Sequence, residues 1–269
     1  MAQTRLIELL EGDDTPPPWL LPDLLCQGTM VVLAGEAGAG KSFFSYTLGL
    51  ALSTGVPFLT RPTAATRVLY CDEENSLPDL RQYLRWAWRG LGKPPLPLLT
   101  ANFRHEHFSL AAAGGLWSAY LTRVAGEFHP GLIVLDTTTP ACHILDENSN
   151  AEASGAIRRL RGAQAAAGPA CTMLLLKHAR LDQTNGEWQM RGAKTWKGET
   201  DSTLVHQVGA GRPRQDGLRN TVIRPDKVRA FGLRIPIHLS PQWVGEKQAR
   251  GVSLLTQGDE KPKKPEEAK

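Results

Sequence analysis

The chain has 269 residues, 41% of them hydrophobic and 22% charged, with a formal net charge of +4, which is ordinary for a globular protein with one large α/β domain or two small ones. No run of 18 apolar residues offers a membrane span, and residues 1–8 lack the apolar core of a signal peptide. Cys26, Cys71, Cys142 and Cys171 lie far apart with no C-x-x-C pair, so the expectation is a cytoplasmic protein whose cysteines hold no metal.

In chain order, residues 1–18 read as a lead-in that closes on Pro16-Pro17-Pro18. Met30-Val31-Val32-Leu33-Ala34 has the look of a buried parallel strand, and residues 43–52 read as a helix. A second strand covers residues 67–71 and runs into the acidic cluster Asp72-Glu73-Glu74. Ser76, with Asp79 three residues on, predicts the start of a helix through Trp86 and Trp88. The next strand is Leu132-Ile133-Val134-Leu135-Asp136, followed by a polar loop over 138–150. Ser149 and Glu152 form a capping-box pattern ahead of a helix carrying Arg158, Arg159 and Arg161.

Another strand, residues 171–176, ends at Lys177-His178 and leads into a second polar loop over 180–195. Beyond Thr203 the pattern becomes β-rich, with residues 220–224 and 233–239 as an antiparallel ribbon. The tail from Asp259 is charged and proline-punctuated, as in disordered segments. Alternating strands and helices argue for an α/β fold over 19–258, with a mostly parallel sheet covered on both faces.

The segment Gly35-Glu36-Ala37-Gly38-Ala39-Gly40-Lys41-Ser42 fits the P-loop pattern G-x-x-x-x-G-K-[ST] between a strand and a helix that opens with Phe43. Glycines let backbone N–H groups converge on phosphate oxygens, and the helix N-terminus adds partial positive charge. Lys41 suits the β- and γ-phosphates of ATP, and the Ser42 hydroxyl suits Mg²⁺. Asp136, at the end of four apolar residues, is the natural second Mg²⁺ ligand.

Hydrolysis also needs a group to activate water, and Thr137-Thr138-Thr139 beside Asp136 supplies no base. Ligands of open α/β sheets gather at the carboxyl ends of strands, which points to Glu74, with Glu73 as the alternative. His178, at another strand end, is placed to sense the γ-phosphate or to be merely structural.

Residues 157–232 hold 14 Lys or Arg against 6 Asp or Glu, an excess that suits nucleic acid or is simply a solvated face. Within it, Arg180, Arg191, Lys194 and Lys197 are candidates for a phosphate backbone, and Trp188 or Trp196 for base stacking. Lys227 and Arg229 alternate onto one face, as a finger entering a neighbour's active site or as guards of an edge strand. His105-Glu106-His107 has no further ligands at useful spacing and reads as surface polar residues.

The P-loop, then Val68-Leu69-Tyr70-Cys71-Asp72-Glu73-Glu74-Asn75, then Leu132-Ile133-Val134-Leu135-Asp136, then Leu174-Leu175-Leu176-Lys177-His178, resembles the RecA-like ATPases over roughly residues 19–240. The likeness is to the compact branch that contains RepA-type hexameric plasmid helicases, related to the DnaB and RadA groups. It implies a catalytic glutamate in Glu73-Glu74, a Walker B aspartate at Asp136 and a sensor histidine at His178. It also implies a DNA-facing loop ahead of residues 191–197, and Lys227-Val228-Arg229 is similar to the K-x-R finger of DnaB-type helicases. The position of the RepA-type arginine finger reads Leu204 instead. The resemblance implies a hexameric ATP-driven helicase or translocase on single-stranded DNA. A recombination or repair ATPase and a regulatory switch on protein partners are the alternatives.

Overall fold

The computed structural model describes residues 18–181, 188–209, 214–229, 233–246 and 250–256. The expected lead-in (except Pro18), the charged tail and the centre of the second polar loop lie outside these residues.

A small antiparallel pair, β1 (Trp19–Leu21) and β2 (Leu25–Cys26), precedes β3 (Met30–Gly35) and α1 (Lys41–Thr54). Then follow β4 (Val68–Asp72), α2 (Leu77–Gly90), α3 (Leu96–Asn102), β5 (Phe103–His107), α4 (Ser109–Ala113), α5 (Trp117–Phe128) and β6 (Leu132–Asp136). The chain continues through α6 (Thr138–Ala141), α7 (Asn150–Ala167), β7 (Thr172–Leu181), β8 (Trp188–Met190) and α8 (Lys194–Glu199). It closes with β9 (Ser202–Val208), β10 (Thr221–Val228), β11 (Ile237–Val244) and β12 (Gly251–Thr256).

One sheet runs in the order β12-β11-β10-β9-β3-β7-β6-β4-β5, with β8 paired to β7. The strands from β9 to β5 are mutually parallel, and β10 to β12 extend the sheet antiparallel. The continuous apolar runs exist because both faces are covered. On β3, Val31 and Leu33 enter one core while Met30, Val32 and Ala34 enter the other, and β6 and β7 divide in the same way. Helix α1 packs Phe44, Leu48 and Leu52 on the first face, and α5 and α7 place Leu121, Val124, Ile157 and Leu160 on the second. Truncating a fully buried leucine such as Leu176 to alanine costs about 2–5 kcal/mol by the usual cavity penalty.

Three readings of the sequence change. Residues 103–107 form edge strand β5, so His105 and His107 are half-buried rather than surface residues. The His105 ring lies 6.0 Å from that of Tyr70 with its Nε2 3.0 Å from the Tyr46 hydroxyl, and His107 Nε2 is 2.9 Å from Asn75 O. The first polar loop opens with α6, and the second begins as β7 continuing to Leu181, where Ala179 pairs Met190 of β8. Finally, Ser149 caps α7 by accepting from Glu152 N at 3.2 Å, but the Glu152 carboxylate accepts from Leu145 N and Asp146 N, so the box is not reciprocal. The predicted cap at Ser76 stands, with Asp79 N donating to Ser76 Oγ at 3.4 Å.

Candidate active site

Because β3, β7, β6 and β4 are parallel neighbours, their carboxyl ends bring Gly35, His178, Asp136 and Asp72 to one edge of the sheet. The P-loop leaves β3 at that edge. Gly38 and Gly40 hold φ of 77° and 85°, a left-handed backbone that costs any residue with a Cβ. At Gly35 a Cβ would stand 2.6 Å from Lys41 Cδ and 2.7 Å from His206 O, so the close passage of β9 forbids a side chain there.

Helix α1 starts with no side-chain cap, so its first N–H groups remain available for an anion. The Lys41 ammonium is nearly buried and donates to Gly35 O and Glu36 O, both at 3.1 Å. Burial lowers its pKa, while Glu74, Asp136 and Glu36 act in the opposite sense.

Asp136 is fully buried and accepts from Tyr70 Oη at 2.8 Å and from Asn75 Nδ2 at 3.3 Å. Burial first, and neighbouring Asp72 next, push its pKa up to about 7, against the Tyr70 hydrogen bond, which favours the ionised form. Its Oδ1 is buried without a hydrogen-bond partner. An orphaned carboxylate oxygen beside a serine hydroxyl at a P-loop is a hard-oxygen pair of the type Mg²⁺ selects, so Ser42 and Asp136 fit that ion.

The two adjacent glutamates separate. Glu73 is buried, and its carboxylate accepts from Leu110 N at 2.9 Å and Ala111 N at 3.0 Å, at the start of α4. Glu74 is partly exposed, lies 3.7 Å from His178 Nε2, and is the first of the carboxylates attracting Lys41. Asp72 sets this turn by accepting from Glu74 N at 3.0 Å and Asn75 N at 2.8 Å, and Tyr46 Oη donates to its other oxygen at 2.5 Å. His178 pairs in register with Gly35, between the P-loop and Glu74. Asp72, Tyr70 and Asn75 were not singled out as site residues. Of the three only Asp72 carried a signal in the sequence, its place at the end of a strand.

Phe43 and a wall of apolar groups border the other side of the P-loop, around a cavity of about 380 Å³ that also includes His206. His206 is 2% exposed, and its Nε2 is 2.8 Å from Thr221 Oγ1. Burial, and then Lys41, push its pKa down to about 3, which keeps the ring neutral.

The basic residues gather elsewhere. Arg180, Lys194, Lys197, Lys227 and Arg229 line a second cavity of about 580 Å³, with Asp226 among them. Candidates for nucleic acid and for the finger therefore share one wall. Within this chain Lys197 pairs with Asp226 at 2.8 Å, and Lys227 donates to the carbonyls of Lys197, Gly198 and Thr200. Arg229 donates to Gly198 O at 2.6 Å, so both finger candidates close the end of α8. Arg191 is outside the cavity lining and pairs with Glu147 at 2.8 Å, tying the two polar loops together. Arg180 and Lys194 are exposed. Leu204 is buried in β9, and Trp196 is fully buried beneath the Lys177 ammonium at 4.7 Å, which removes it as a stacking platform. The side chain of Trp188 lies outside the described residues. No helix among the described residues is long and apolar enough to cross a membrane.

A family model described as an AAA domain matches residues 1–184. Among solved structures, a KaiC-like protein of the hyperthermophilic archaeon Pyrococcus horikoshii OT3 is similar, with a TM-score of 0.56 and 14% identity over 89% of this chain and 95% of that one. At that identity the likeness is one of fold. No curated protein matches the sequence.

Proposed function

The chain belongs to the AAA-domain family, and we propose that it is an ATP-hydrolysing motor that assembles as a ring on single-stranded DNA, of the kind that replicates plasmids, phages or other mobile elements. The observation that carries this reading is the convergence of Lys41, Asp136, Glu74 and His178 on one edge of four neighbouring parallel strands.

In this mechanism the P-loop amides and Lys41 hold the triphosphate, with Lys41 exchanging loop carbonyls for phosphate oxygens. Mg²⁺, held through Ser42 and Asp136, would neutralise charge on the phosphates. Glu74 orients and deprotonates the attacking water, because Glu73 is taken up by the start of α4. His178, between Glu74 and the P-loop strand, passes the state of the γ-phosphate to β7 and the loop beyond it. Lys227 and Arg229 complete a neighbour's site across a ring interface. Arg180, Lys194 and Lys197, all exposed in the basic cavity, meet the DNA backbone.

A recombination or repair ATPase would use the same residues but form filaments. One observation favours the third reading, a switch acting on protein partners. Much of the basic excess is bound internally, with Arg161 on Asp201, Arg191 on Glu147 and Arg214 on Asp216. The test is anisotropy of a labelled single strand titrated with the protein and an ATP analogue. Binding that weakens steeply with salt and is lost in the Arg180→Glu/Lys194→Glu double variant supports the motor. Salt-dependent binding unchanged by that variant removes the basic cavity from the DNA path, and no binding moves the assignment to the switch.

A further inference from the structure

Helix α2 carries Arg81, Arg85 and Arg89 at four-residue steps, which the helical period brings onto one face. The opposite face is the one that packs, with Leu80 and Ala87 buried and Tyr83 and Leu84 against the core. Arg81 and Arg85 are exposed, and neither makes a hydrogen bond, an ion pair or a ring contact among the described residues. The one carboxylate of the helix, Asp79, is taken up by the N-terminus, where it accepts from Ser76 Oγ at 2.6 Å.

At its C-terminal end the row continues to the residue before β12. Arg89 Nη1 donates to Arg250 O at 3.4 Å, and the exposed Arg250 guanidinium lies 3.9 Å from the centre of the Trp243 ring. The strand fits so tightly there that a Cβ at Gly251 would stand 2.5 Å from Arg89 Cβ, so helix and strand hold these cations as one rigid edge. Such a row costs the fold something. Like charges four residues apart oppose helix formation, and of the three arginines only Arg89, in the last turn, gains from the helix dipole. In the basic cavity, by contrast, Lys197, Lys227 and Arg229 are already engaged within the chain.

We infer that this face of α2 docks the phosphate backbone of double-stranded DNA without reading its sequence, as a second nucleic-acid surface apart from the basic cavity. The span from Arg81 to Arg89 covers about 12 Å of helix, room for a few successive phosphates of one strand. The neighbouring rings are poor platforms for a base. Trp86 stands edge-on to Trp243 at 5.1 Å, Arg250 covers the Trp243 ring, and Trp88 is half-buried with Nε1 donating to Pro94 O at 2.9 Å. A single strand needs such platforms, whereas a duplex has its bases already stacked and presents its backbone alone. None of the residues lining the basic cavity belongs to α2 or β12. The inference needs no nucleotide and does not rest on the motor reading.

The test is anisotropy of labelled duplexes of two unrelated sequences, titrated with the full chain without nucleotide over a range of salt. Both duplexes are expected to bind within about threefold of each other, with affinity that falls steeply as salt rises. Arg81→Gln/Arg85→Gln should weaken binding about tenfold or more and lower the slope of log affinity against log salt by about two. Arg81→Lys/Arg85→Lys should keep most of the affinity, since a phosphate contact asks for charge before geometry, and it guards against a folding defect. Unchanged affinity and slope in the glutamine variant, or no duplex binding by wild type, would overturn the inference. So would a preference of about tenfold for one sequence, or displacement by polyglutamate as readily as by unlabelled duplex. Single-strand binding that survives the glutamine variant while duplex binding is lost separates the two surfaces. Duplex binding that the glutamine variant leaves intact ends this inference and leaves the motor reading untouched.

Discussion

Asp72 and Asp136 hold paired positions at the ends of adjacent parallel strands, and one amide group, Asn75 Nδ2, donates to both. Two buried carboxylates side by side repel, and Asp72 raises the cost of ionising Asp136. The surroundings answer with donors: Tyr46 on Asp72, and Tyr70 with Asn75 on Asp136. The pair is thus an acidic pocket stabilised by hydroxyls and an amide, with the Lys41 ammonium coupled to Asp136.

Tyr70→Phe removes a charge-assisted hydrogen bond from Asp136 without changing the ring that stacks on Tyr46 at 3.9 Å. The Mg²⁺ concentration for half-maximal turnover should rise on the order of tenfold, since hydrogen bonds to charged groups contribute roughly 1.5–3 kcal/mol. A magnesium titration at saturating ATP checks it, and an unchanged midpoint would remove Tyr70 from the metal site.

The adjacent glutamates should separate on two readouts. Glu74→Gln should lower turnover by roughly 10²–10⁴ with an unchanged melting temperature, because the side chain is partly exposed and acts on water. Glu73→Gln should leave most of the turnover but cost about 1–2 kcal/mol of stability, because it replaces the carboxylate that the α4 amides donate to. The reverse pattern would exchange their roles.

Two buried groups should give opposite pH slopes to the nucleotide-free protein. His206, lowered to about 3, binds fewer protons folded than unfolded, so its contribution is full above about 6.5 and is lost as the pH falls towards 3. Asp136, raised to about 7, binds more protons folded, so it destabilises the fold as the pH climbs from about 4 through 7. The two nearly cancel between about pH 4.5 and 6.5. Urea unfolding should then show Asp136→Asn losing stability on acidification relative to wild type, and His206→Gln gaining it, each by about 1 kcal/mol per pH unit. Three parallel profiles would contradict both assignments.

Arg229→Ala should lower turnover while leaving nucleotide affinity nearly intact, and equal loss of both would end the finger role. Because that role acts across an interface, mixing Lys41→Ala with Arg229→Ala should give more ATPase activity than the sum of the two variants alone. No gain over that sum at any ratio would leave Lys227 and Arg229 as the closing clasp of α8 alone.

The P-loop, β4, β6 and β7 were legible because an apolar run buried on both faces and ended by a charge has few other readings. Strand β5 was not, since Phe103-Arg104-His105-Glu106-His107 at a sheet edge is polar in composition, and its burial comes from Tyr46, Tyr70 and Tyr120 far away in sequence. The choice between Glu73 and Glu74 was equally closed to inspection, because it depends on α4, a five-residue helix without a marked start. Alternation correctly placed Lys227 and Arg229 on one face, but the six-residue α8 that they clasp had no signal of its own. β12, six residues next to a charged tail, was missed for the same reason.

The most direct test of the account is the ATPase rate with and without single-stranded DNA, for wild type and Glu74→Gln. The account predicts turnover that is strongly stimulated by the strand and abolished in the variant. Turnover indifferent to DNA would contradict the motor, and turnover that survives Glu74→Gln would contradict the site.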